Sequence, residues 1–244
     1  MPTFFVASEA IVPPTVRITG ALLRHLRESL RLQPGERLTV TDDRGRRYRT
    51  EIAEITRTML IGRILEAVPA PPKTSPSIVL GQSLLKGEKM DWVIQKATEL
   101  GVDRITPIVA ANSVVRPRAD RIDHQLVRWQ RIALEAAQQS ERWSTPAIDE
   151  PAPLVQLLST STNAATKILL AERSNSVSLT TLPLQGSGDV WLLIGPEGGW
   201  DETELHEMRS QGFAAVTLGP RILRAETAAL AALSVLQSRL GELG

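Results

Sequence analysis

Two loops near the C-terminus carry the residues of this chain that are best suited to chemistry. The first, GPEGG at residues 195–199, holds three glycines, which let the backbone approach a ligand closely. It follows an apolar run at Val190–Ile194 that is too short for a typical helix and therefore predicts a buried strand. Asp201 and Glu204 then form the pattern of a capping box, which predicts a helix from Glu202. In α/β proteins, such strand–loop–helix junctions are where small ligands bind.

A second unit of the same kind follows. Residues 215–218 form a short apolar run, residues 219–226 form a loop with Arg224 and Glu226, and the Ala- and Leu-rich residues 227–240 predict a long helix. The two loops can face one ligand if their strands are neighbours in a sheet. For a Gly-Pro loop taken alone, the alternative is an ordinary connection between a strand and a helix.

Taken together, the two loops resemble those of the SPOUT superfamily of methyltransferases. IGPEGG at residues 194–199 and LGPRILRAETA at residues 218–228 are most similar to the family that methylates uridine N3 in 16S ribosomal RNA. The similarity extends to GQSLLKGEKMDWVIQKATELGV at residues 81–102, ITPIVAANSVV at 105–115 and ALAALSVLQSRLG at 229–241. It continues more weakly into the N-terminal region, so it covers nearly the whole chain.

The resemblance implies a reaction and a cofactor. The reaction is methylation of uridine N3 in small-subunit ribosomal RNA by S-adenosylmethionine, with no metal, because the sulfonium is itself the activated methyl donor. The cofactor is then expected against backbone groups of three loops, with apolar side chains beside its adenine. The expected cofactor-binding residues are Leu170, Ala171, Glu172, Ile194, Gly195, Pro196, Glu197, Gly198, Gly199, Leu218, Gly219, Ile222, Leu223 and Arg224.

Given that reaction, Arg224 and Glu226 are the candidate catalytic residues. Uracil N3 is a poor nucleophile until it loses its proton, and the negative charge then spreads onto the two flanking carbonyl oxygens. A guanidinium beside those oxygens stabilises this charge and cannot lose its own proton. Glu226 can accept the N3 proton directly or through water. The alternatives are that Arg224 pairs with Glu226 or anchors a phosphate, and that Glu226 is a first-turn acid favoured by the helix dipole.

The N-terminal third of the chain supplies candidate RNA contacts. Residues 1–72 contain 11 Arg and 8 acidic residues, and the Arg side chain suits phosphate because its planar fork donates two parallel hydrogen bonds. Four arginines cluster at a predicted hairpin and are expected to contact phosphates: Arg44, Arg46, Arg47 and Arg49. A solvated surface is the alternative for so small an excess of charge.

Three further basic residues are candidate RNA contacts through the resemblance. Lys86 and Lys89 lie in a junction that the family keeps near its substrate, although a solvated turn is the alternative. Arg142 ends the segment QQSER, where the family usually has Glu-Gln-Ser/Cys-Gly-Arg. Gln138 and Glu141 depart from that pattern, which puts in doubt an acid's catalytic role at position 138 and the loop shape at position 141.

The elements that position these residues fall into two domains. The N-terminal part predicts one helix and three strands in a small barrel: residues 19–30, 37–41, 47–55 and 59–65. The resemblance implies that residues 1–72 are a PUA-like β-barrel that contacts RNA. Four prolines within residues 68–76 predict a semi-rigid, extended boundary segment.

Residues 73–244 are predicted to form an α/β domain. Strands at 78–82, 105–110, 168–171, Val190–Ile194 and 215–218 alternate with helices at 86–100, 120–140 and 154–158 and with the two helices named above. This alternation indicates a parallel sheet with helices on both faces. Connection rules alone predict no knot. The resemblance implies a SPOUT-type sheet whose C-terminal trefoil knot holds the cofactor, in a homodimer with its sites at the interface.

The five tryptophans divide into two groups. Trp92, Trp129 and Trp191 lie on apolar faces of predicted elements and are expected in the core. Trp143 and Trp200 lie in loops beside the proposed site, where an aromatic ring can stack on a base.

Composition narrows the function classes. The chain has no Cys, which excludes a disulfide framework and a thiolate metal site, and its three His are too widely spaced to suggest metal ligands. It shows no secretory leader pattern and no long apolar run, so we expect a cytoplasmic protein that does not bind membranes. The expected partner is 16S rRNA within the 30S subunit. Two other functions stay open: a SPOUT methyltransferase with another target such as a ribose 2′-hydroxyl, and a non-catalytic RNA-binding protein of ribosome assembly.

Overall fold

The computed structural model describes residues 2–117, 119–161, 164–171, 177–184 and 188–243. The chain divides into two compact units. The first comprises residues 1–72 together with 137–144, and the second comprises residues 73–136 and 145–244. The first unit therefore includes a short segment that is distant in sequence from the N-terminal region.

The first unit is a curled six-stranded sheet with one short helical segment. Its strands are β1 (Thr3–Val6), β2 (Ile11–Val12), β3 (Thr15–Ile18), β4 (Arg37–Asp42), β5 (Arg47–Ile55) and β6 (Leu60–Val68). They pair in the order β1-β4-β5-β6-β3-β2, antiparallel except for the parallel pair of β1 and β4. Helix α1 (Gly20–Arg24) continues into a π-helical segment, His25–Ser29, and a 3-10 turn spans Ser8–Ala10.

The curled sheet encloses a hydrophobic core that includes Val16, Leu26, Leu38 and Leu60, all with 0% exposure. The three predicted strands are present with ends shifted by at most a few residues. The predicted barrel is found as a half-barrel, since β1 and β2 are the two ends of the strand order. The short strands β1, β2 and β3 were not predicted, because two to four residues carry too little hydrophobic pattern.

The second unit is an α/β domain built on an entirely parallel sheet, as predicted. Its strands are β7 (Ile78–Ser83), β8 (Arg104–Val109), β9 (Ala147–Ile148), β10 (Ala152–Pro153), β11 (Thr166–Leu170), β12 (Val177–Ser178), β13 (Val190–Ile194) and β14 (Ala214–Thr217). The order is β10-β8-β7-β13-β11-β14-β12, with β9 beside β8. The helices are α2 (Lys89–Glu99), α3 (Ile122–Gln139), α4 (Leu154–Thr160), α5 (Glu202–Ser210) and α6 (Ala225–Arg239), and a 3-10 turn spans Ala119–Arg121.

Strand β13 lies in the middle of this sheet and is buried along its whole length. Its alternate residues Val190, Leu192 and Ile194 pack into a core with α2 and α6, whereas Trp191 and Leu193 pack into a second core with α4 and α5. Successive side chains of a strand point to opposite faces, so helices cover the sheet on both sides.

Helix α6 is fixed to the rest of its unit by polar contacts at its C-terminal end. Gln237 Nε2 donates to the carbonyl of Leu100 at 2.6 Å, and the guanidinium of Arg239 donates to the carbonyls of Leu179 and Leu182 at 2.7 and 2.5 Å. Trp129 and Trp191 are buried as predicted, but Trp92 is 42% exposed and the prediction of a core position for it was wrong. None of the described helices is long and apolar enough to span a bilayer.

Candidate active site

The proposed loops meet at one edge of the parallel sheet. Strand β11 lies between β13 and β14, with Leu169 opposite Leu193 and Leu170 opposite Val216. Because parallel strands end at the same edge, the segments that follow these three strands come together there. Strand β7 pairs with the other side of β13, so the start of α2 belongs to the same edge. The sequence placed the two loops together on condition that their strands were neighbours. That condition is not met directly, because β11 separates β13 from β14, and the end of β11 lies between the two loops at this edge.

The glycine loop after β13 is braced by Trp200. Its indole N–H donates to the carbonyl of Leu170 at 3.1 Å, which joins this loop to the end of β11. A Cβ atom placed on Gly195 would lie 3.0 Å from the indole nitrogen, closer than nearly all real contacts of a Cβ. Gly195 therefore leaves room for the ring that ties two of the loops together.

The loop after β8 closes the other side of the glycine loop. Asn112 Nδ2 donates to the carbonyl of Gly199 at 3.1 Å, and a Cβ on Gly198 would meet Asn112 Cβ at 3.2 Å. Glu204 Oε1 accepts from the amide of Ala111 at 2.8 Å. These contacts were not predicted, since nothing in the sequence near Asn112 points to a residue in the glycine loop.

Glu204 also completes the predicted capping box of α5. The Asp201 side chain accepts from the amide of Thr203 at 2.8 Å, and Glu204 Oε2 accepts from the amide of Asp201 at 3.1 Å. The hydrogen bond from Thr203 is the main cause that lowers the pKa of Asp201. Helix α5 starts at Glu202 as predicted, and its first turn fixes the end of the glycine loop.

The predicted cofactor residues differ in their exposure at this edge. Ala171, Ile194 and Pro196 are buried, Leu170, Gly195, Leu218 and Leu223 are half-buried, and Glu197, Gly198, Gly199, Gly219, Ile222 and Arg224 are exposed. Ile222 is 58% exposed, which is high for so large an apolar side chain. Gly219 has φ 119°, a conformation that L side chains rarely adopt. Glu172 lies outside the described residues.

Lys89, at the start of α2, bridges the glycine loop after β13 and the first turn of α6. Its Nζ lies 2.7 Å from Glu197 Oε1 and 3.5 Å from Glu226 Oε1. The hydrogen bond to the Glu197 carboxylate, outweighing partial desolvation, raises the pKa of Lys89, so its ammonium group stays charged. Glu226 has a side chain only 13% exposed, and its Oε2 is buried with no hydrogen-bond partner among the described residues. A buried carboxylate oxygen is normally hydrogen-bonded, so Glu226 has unused acceptor capacity.

Arg224 is the N-cap of α6, two residues before Glu226 in the chain. The helix begins at Ala225, so Glu226 lies in its first turn rather than in the preceding loop. The Arg224 side chain is exposed and has no ion pair or hydrogen bond among the described residues, while Glu226 is paired with Lys89. An Arg224–Glu226 structural pair, one of the alternatives, is therefore not formed.

The predicted RNA contacts of the first unit have different environments. Arg44 is exposed, and among the described residues its one polar contact is the hydrogen bond from its backbone amide to Asp42 Oδ1 at 3.0 Å. The guanidinium of Arg46 is paired with Asp42 Oδ2 at 2.7 Å. Arg47 donates to the carbonyls of Glu141 and Arg142 at 3.0 and 2.5 Å. Arg46 and Arg47 therefore make structural contacts within their own unit.

Trp143 completes the environment of Arg47. The guanidinium carbon lies 3.9 Å from the centre of the Trp143 ring, within the range of a cation–π contact. Trp143 therefore stacks on an arginine of its own chain. Arg142 is half-buried, and Lys86 is exposed in the turn before α2.

The departure at Glu141 is visible in the backbone. Glu141 has φ 54°, in the left-handed region that glycine adopts without strain. Glycine is the residue that the resembled family usually has at this position. The turn thus has a glycine-type backbone conformation even though this chain places a side chain there.

Comparisons with known proteins agree with this arrangement. The family model of an RNA methyltransferase domain matches residues 72–237, and that of an RNA methyltransferase PUA domain matches residues 18–65. Ribosomal RNA small subunit methyltransferase E from Synechocystis is 33% identical over 96% of this chain and 77% of its own length. The protein of the same name from Bacillus subtilis is 31% identical over 91% of this chain and 90% of its own length.

A solved structure extends the similarity to three dimensions. The crystal structure of ribosomal RNA small subunit methyltransferase E from Neisseria gonorrhoeae, bound to S-adenosyl methionine, superposes with a TM-score of 0.88 at 32% identity and covers 98% of both chains. The matched family model spans well over half of this chain, and the relatives share both units with it. The chain therefore belongs to the RNA methyltransferase family that includes the ribosomal RNA small subunit methyltransferases E.

Proposed function

We propose that this protein transfers the methyl group of S-adenosylmethionine to N3 of a uridine in 16S ribosomal RNA. Membership of the RNA methyltransferase family supports the reaction class, and the names of the relatives support the small ribosomal subunit as substrate. One observation carries the proposal. At the edge where β11, β13 and β14 end, Arg224 and, close to it in the chain, the Glu226 carboxylate oxygen Oε2 have no side-chain partner among the residues that the structure describes.

The residues at this edge fit S-adenosylmethionine. Exposed backbone at Gly198, Gly199 and Gly219 offers amide and carbonyl groups, and exposed Ile222 offers an apolar surface for a purine ring. Leu170, the last residue of β11, and Ala171 directly after it contribute the third loop. The bound cofactor supplies an activated methyl group on its sulfonium. The chain's own contribution is to bind and orient it and to position the base.

Two side chains then prepare the base. Glu226 Oε2 accepts the N3 proton directly or through water, since it is buried and has no other partner among the described residues. Arg224 stabilises the charge that develops on the carbonyl oxygens next to N3, because a fixed cation placed where charge develops lowers the barrier. Neither role requires Arg224 to pair with Glu226, and the two side chains are not paired.

The remaining parts of the proposal concern architecture. Residues 1–72 act as a PUA-like unit that binds RNA, and residues 73–244 form a SPOUT domain whose C-terminal segment threads a trefoil knot around the cofactor. The active form is a cytoplasmic homodimer with the cofactor sites at its interface. Light scattering at micromolar concentration tests the dimer, and a monomer there would contradict it.

A labelling experiment tests the function. The protein is incubated with S-adenosylmethionine labelled in its methyl group in two separate reactions, one with 30S subunits and one with naked 16S rRNA. The modified nucleotide is then mapped by mass analysis. We expect label on the base of a uridine, at N3. Label on a ribose would identify a methyltransferase with a different target. Tight RNA binding without any label, together with no calorimetric signal for S-adenosylmethionine, would identify a non-catalytic RNA-binding protein.

A further inference from the structure

We propose that Lys89 is a positioning residue that holds the Glu226 carboxylate in place through a bridge to Glu197, and that it is not an RNA contact. The inference rests on the proposed function, because it takes Glu226 to be the proton acceptor. The three side chains come from separate elements: the first turn of α2, the loop after β13 and the first turn of α6. A single ammonium group thus connects the glycine loop to the helix that carries Glu226.

The two contacts of Lys89 are unequal. Its Nζ lies 2.7 Å from Glu197 but 3.5 Å from Glu226, so the strong hydrogen bond goes to Glu197. The short charge-assisted hydrogen bond to Glu197 fixes the position of the ammonium group. The longer contact then lets the same ammonium group orient Oε1 of Glu226 without a second short hydrogen bond.

The two oxygens of Glu226 have different surroundings. Oε1 faces Lys89, whereas Oε2 is buried and has no hydrogen-bond partner among the described residues. Holding Oε1 fixes the plane of the carboxylate and so fixes where the lone pairs of Oε2 point. Positioning of this kind matters because small misplacements of a reacting group cost large factors in rate.

The location of Lys89 also argues against an ordinary surface ion pair. It is the first residue of α2, where the helix dipole disfavours a positive charge. Exposed ion pairs contribute little to stability, so stability alone does not explain a cation in this position. An RNA phosphate would have to compete with two carboxylates for the same ammonium group.

Helix α2 offers a matched control. Lys96 lies on the same helix, has the same 35% side-chain exposure as Lys89 and is also paired with a glutamate, Glu99, at 2.8 Å. We therefore compare Lys89→Met, Lys89→Arg and Lys96→Met in single-turnover methylation of 30S subunits or 16S rRNA at saturating substrate, with KM and calorimetric affinity for S-adenosylmethionine measured in parallel.

The expected results follow from the positioning role. Lys89→Met should lower the rate at saturating RNA by about tenfold to a hundredfold, because the Glu226 carboxylate is then no longer held in its reactive orientation. Its KM for RNA and its affinity for S-adenosylmethionine should stay within about twofold of wild type, because in this proposal Lys89 itself contacts neither ligand and the cofactor is held by backbone groups. Lys89→Arg should recover part of the rate, and Lys96→Met should behave as wild type.

A double variant separates positioning from direct action. If Lys89 acts only through Glu226, Lys89→Met in a Glu226→Gln background should cause no further loss of rate. Losses that add in the double variant, a rise in KM at unchanged rate, a loss of cofactor affinity, or full activity of Glu226→Gln would each overturn the inference. An inactive wild-type protein would instead contradict the proposed function itself. Failure of the Lys89 inference and failure of the proposed function are therefore distinguishable.

Discussion

The indole N–H of Trp200 donates a hydrogen bond to the backbone carbonyl of Leu170 at 3.1 Å. Leu170 is the last residue of β11, and Trp200 follows the neighbouring strand β13, so this bond fixes the end of β11 against the glycine loop. The same ring fills the space that a Cβ on Gly195 would require. The relative position of two proposed cofactor loops thus depends on one aromatic side chain.

Trp200→Phe should weaken the binding of S-adenosylmethionine. The variant keeps an aromatic ring beside Gly195 but loses the hydrogen bond, which contributes about 0.5–1.5 kcal/mol and therefore about two- to tenfold in affinity. Calorimetric titration measures the affinity. Trp92→Phe, at an exposed position on α2, is the control and should bind normally. Equal affinity of Trp200→Phe and wild type would mean that the bond does not shape the site.

Gly198→Val should abolish cofactor binding and leave the fold largely intact. A Cβ at this position already comes within 3.2 Å of Asn112, so a branched side chain must displace the loop that carries Asn112 or the glycine loop itself. Loops tolerate such shifts better than a packed core does. Circular dichroism should therefore be close to that of wild type while calorimetry detects no S-adenosylmethionine binding. Normal binding by this variant would contradict the loop assignment.

Local signals in the sequence predicted the elements that carry the site. The strand Val190–Ile194 was predicted with its observed bounds, because this short apolar run is followed directly by Gly195 and Pro196, which interrupt regular secondary structure. The start of α5 was predicted from Asp201 and Glu204, whose side chains and amides interact over one helical turn. Both predictions depend on residues close in the chain, where spacing alone determines which groups meet.

Contacts between distant parts of the chain could not be predicted. Lys89 and Glu197 are 108 positions apart, and nothing in the charge pattern identifies the glutamate that a given lysine will meet. Arg47 and the carbonyl of Glu141 are 94 positions apart, and an arginine suited to phosphate is equally suited to a carbonyl and an aromatic ring. The exposure of Trp92 was missed for the same reason, because an apolar residue on a helix does not reveal what covers it.

Stability of the first unit should depend on pH through Asp42. Burial alone would raise the pKa of this carboxyl, but hydrogen bonds from the amides of Arg46 and Arg44 and from the Arg46 guanidinium hold it below its usual value. A depressed folded-state pKa contributes stability above the unfolded pKa of about 3.9, and that contribution is lost as the pH falls through the folded pKa. Wild type should therefore lose stability as the pH falls below about 4.

Asp42→Asn checks this assignment. At neutral pH the variant should unfold more easily by about 1–3 kcal/mol, because charge-assisted hydrogen bonds to a buried group are lost. The difference from wild type should shrink as the pH falls into the range where Asp42 is protonated. Denaturant unfolding at a series of pH values measures both effects. A difference that does not change with pH would mean that the charge of Asp42 is not the cause.

The hairpin arginines should separate into binding and structural residues. Arg44→Ala should weaken RNA binding and reduce the slope of log binding constant against log salt concentration by about 0.7–0.9, because fewer counterions are released when one phosphate contact is lost. Arg47→Ala should instead lower the melting temperature, because its guanidinium bonds two carbonyls and stacks on Trp143. RNA affinity from filter binding across a salt series, together with thermal unfolding, distinguishes the two. An unchanged salt slope in the Arg44/Arg46/Arg47 triple alanine variant would contradict RNA binding by the hairpin.

Arg224 should contribute to the chemical step and not to assembly. Its side chain is exposed and has no partner among the described residues, so Arg224→Ala should keep the oligomeric state. The affinity for S-adenosylmethionine should also be kept, because the cofactor is expected to contact backbone groups of this loop and the backbone is unchanged. Loss of one fixed donor that stabilises developing charge costs on the order of a hundredfold in rate. Single-turnover methylation at saturating RNA measures this loss. Arg221→Ala, an exposed arginine of the same loop, is the matched control and should keep its rate.

Glu226→Gln in the same assay separates the two proposed catalytic roles. The amide cannot accept the N3 proton, so the rate should be lower than that of wild type at neutral pH. Raising the pH should restore part of the rate, because hydroxide in solvent can then remove the proton. Arg224→Ala should not be restored in this way, since it lacks the charge that stabilises the anion once formed. If Arg224→Ala turned over within a few-fold of wild type, the guanidinium would be a phosphate anchor or a surface group. If Glu226→Gln kept its rate at every pH, Glu226 would be structural and the proton would leave to solvent.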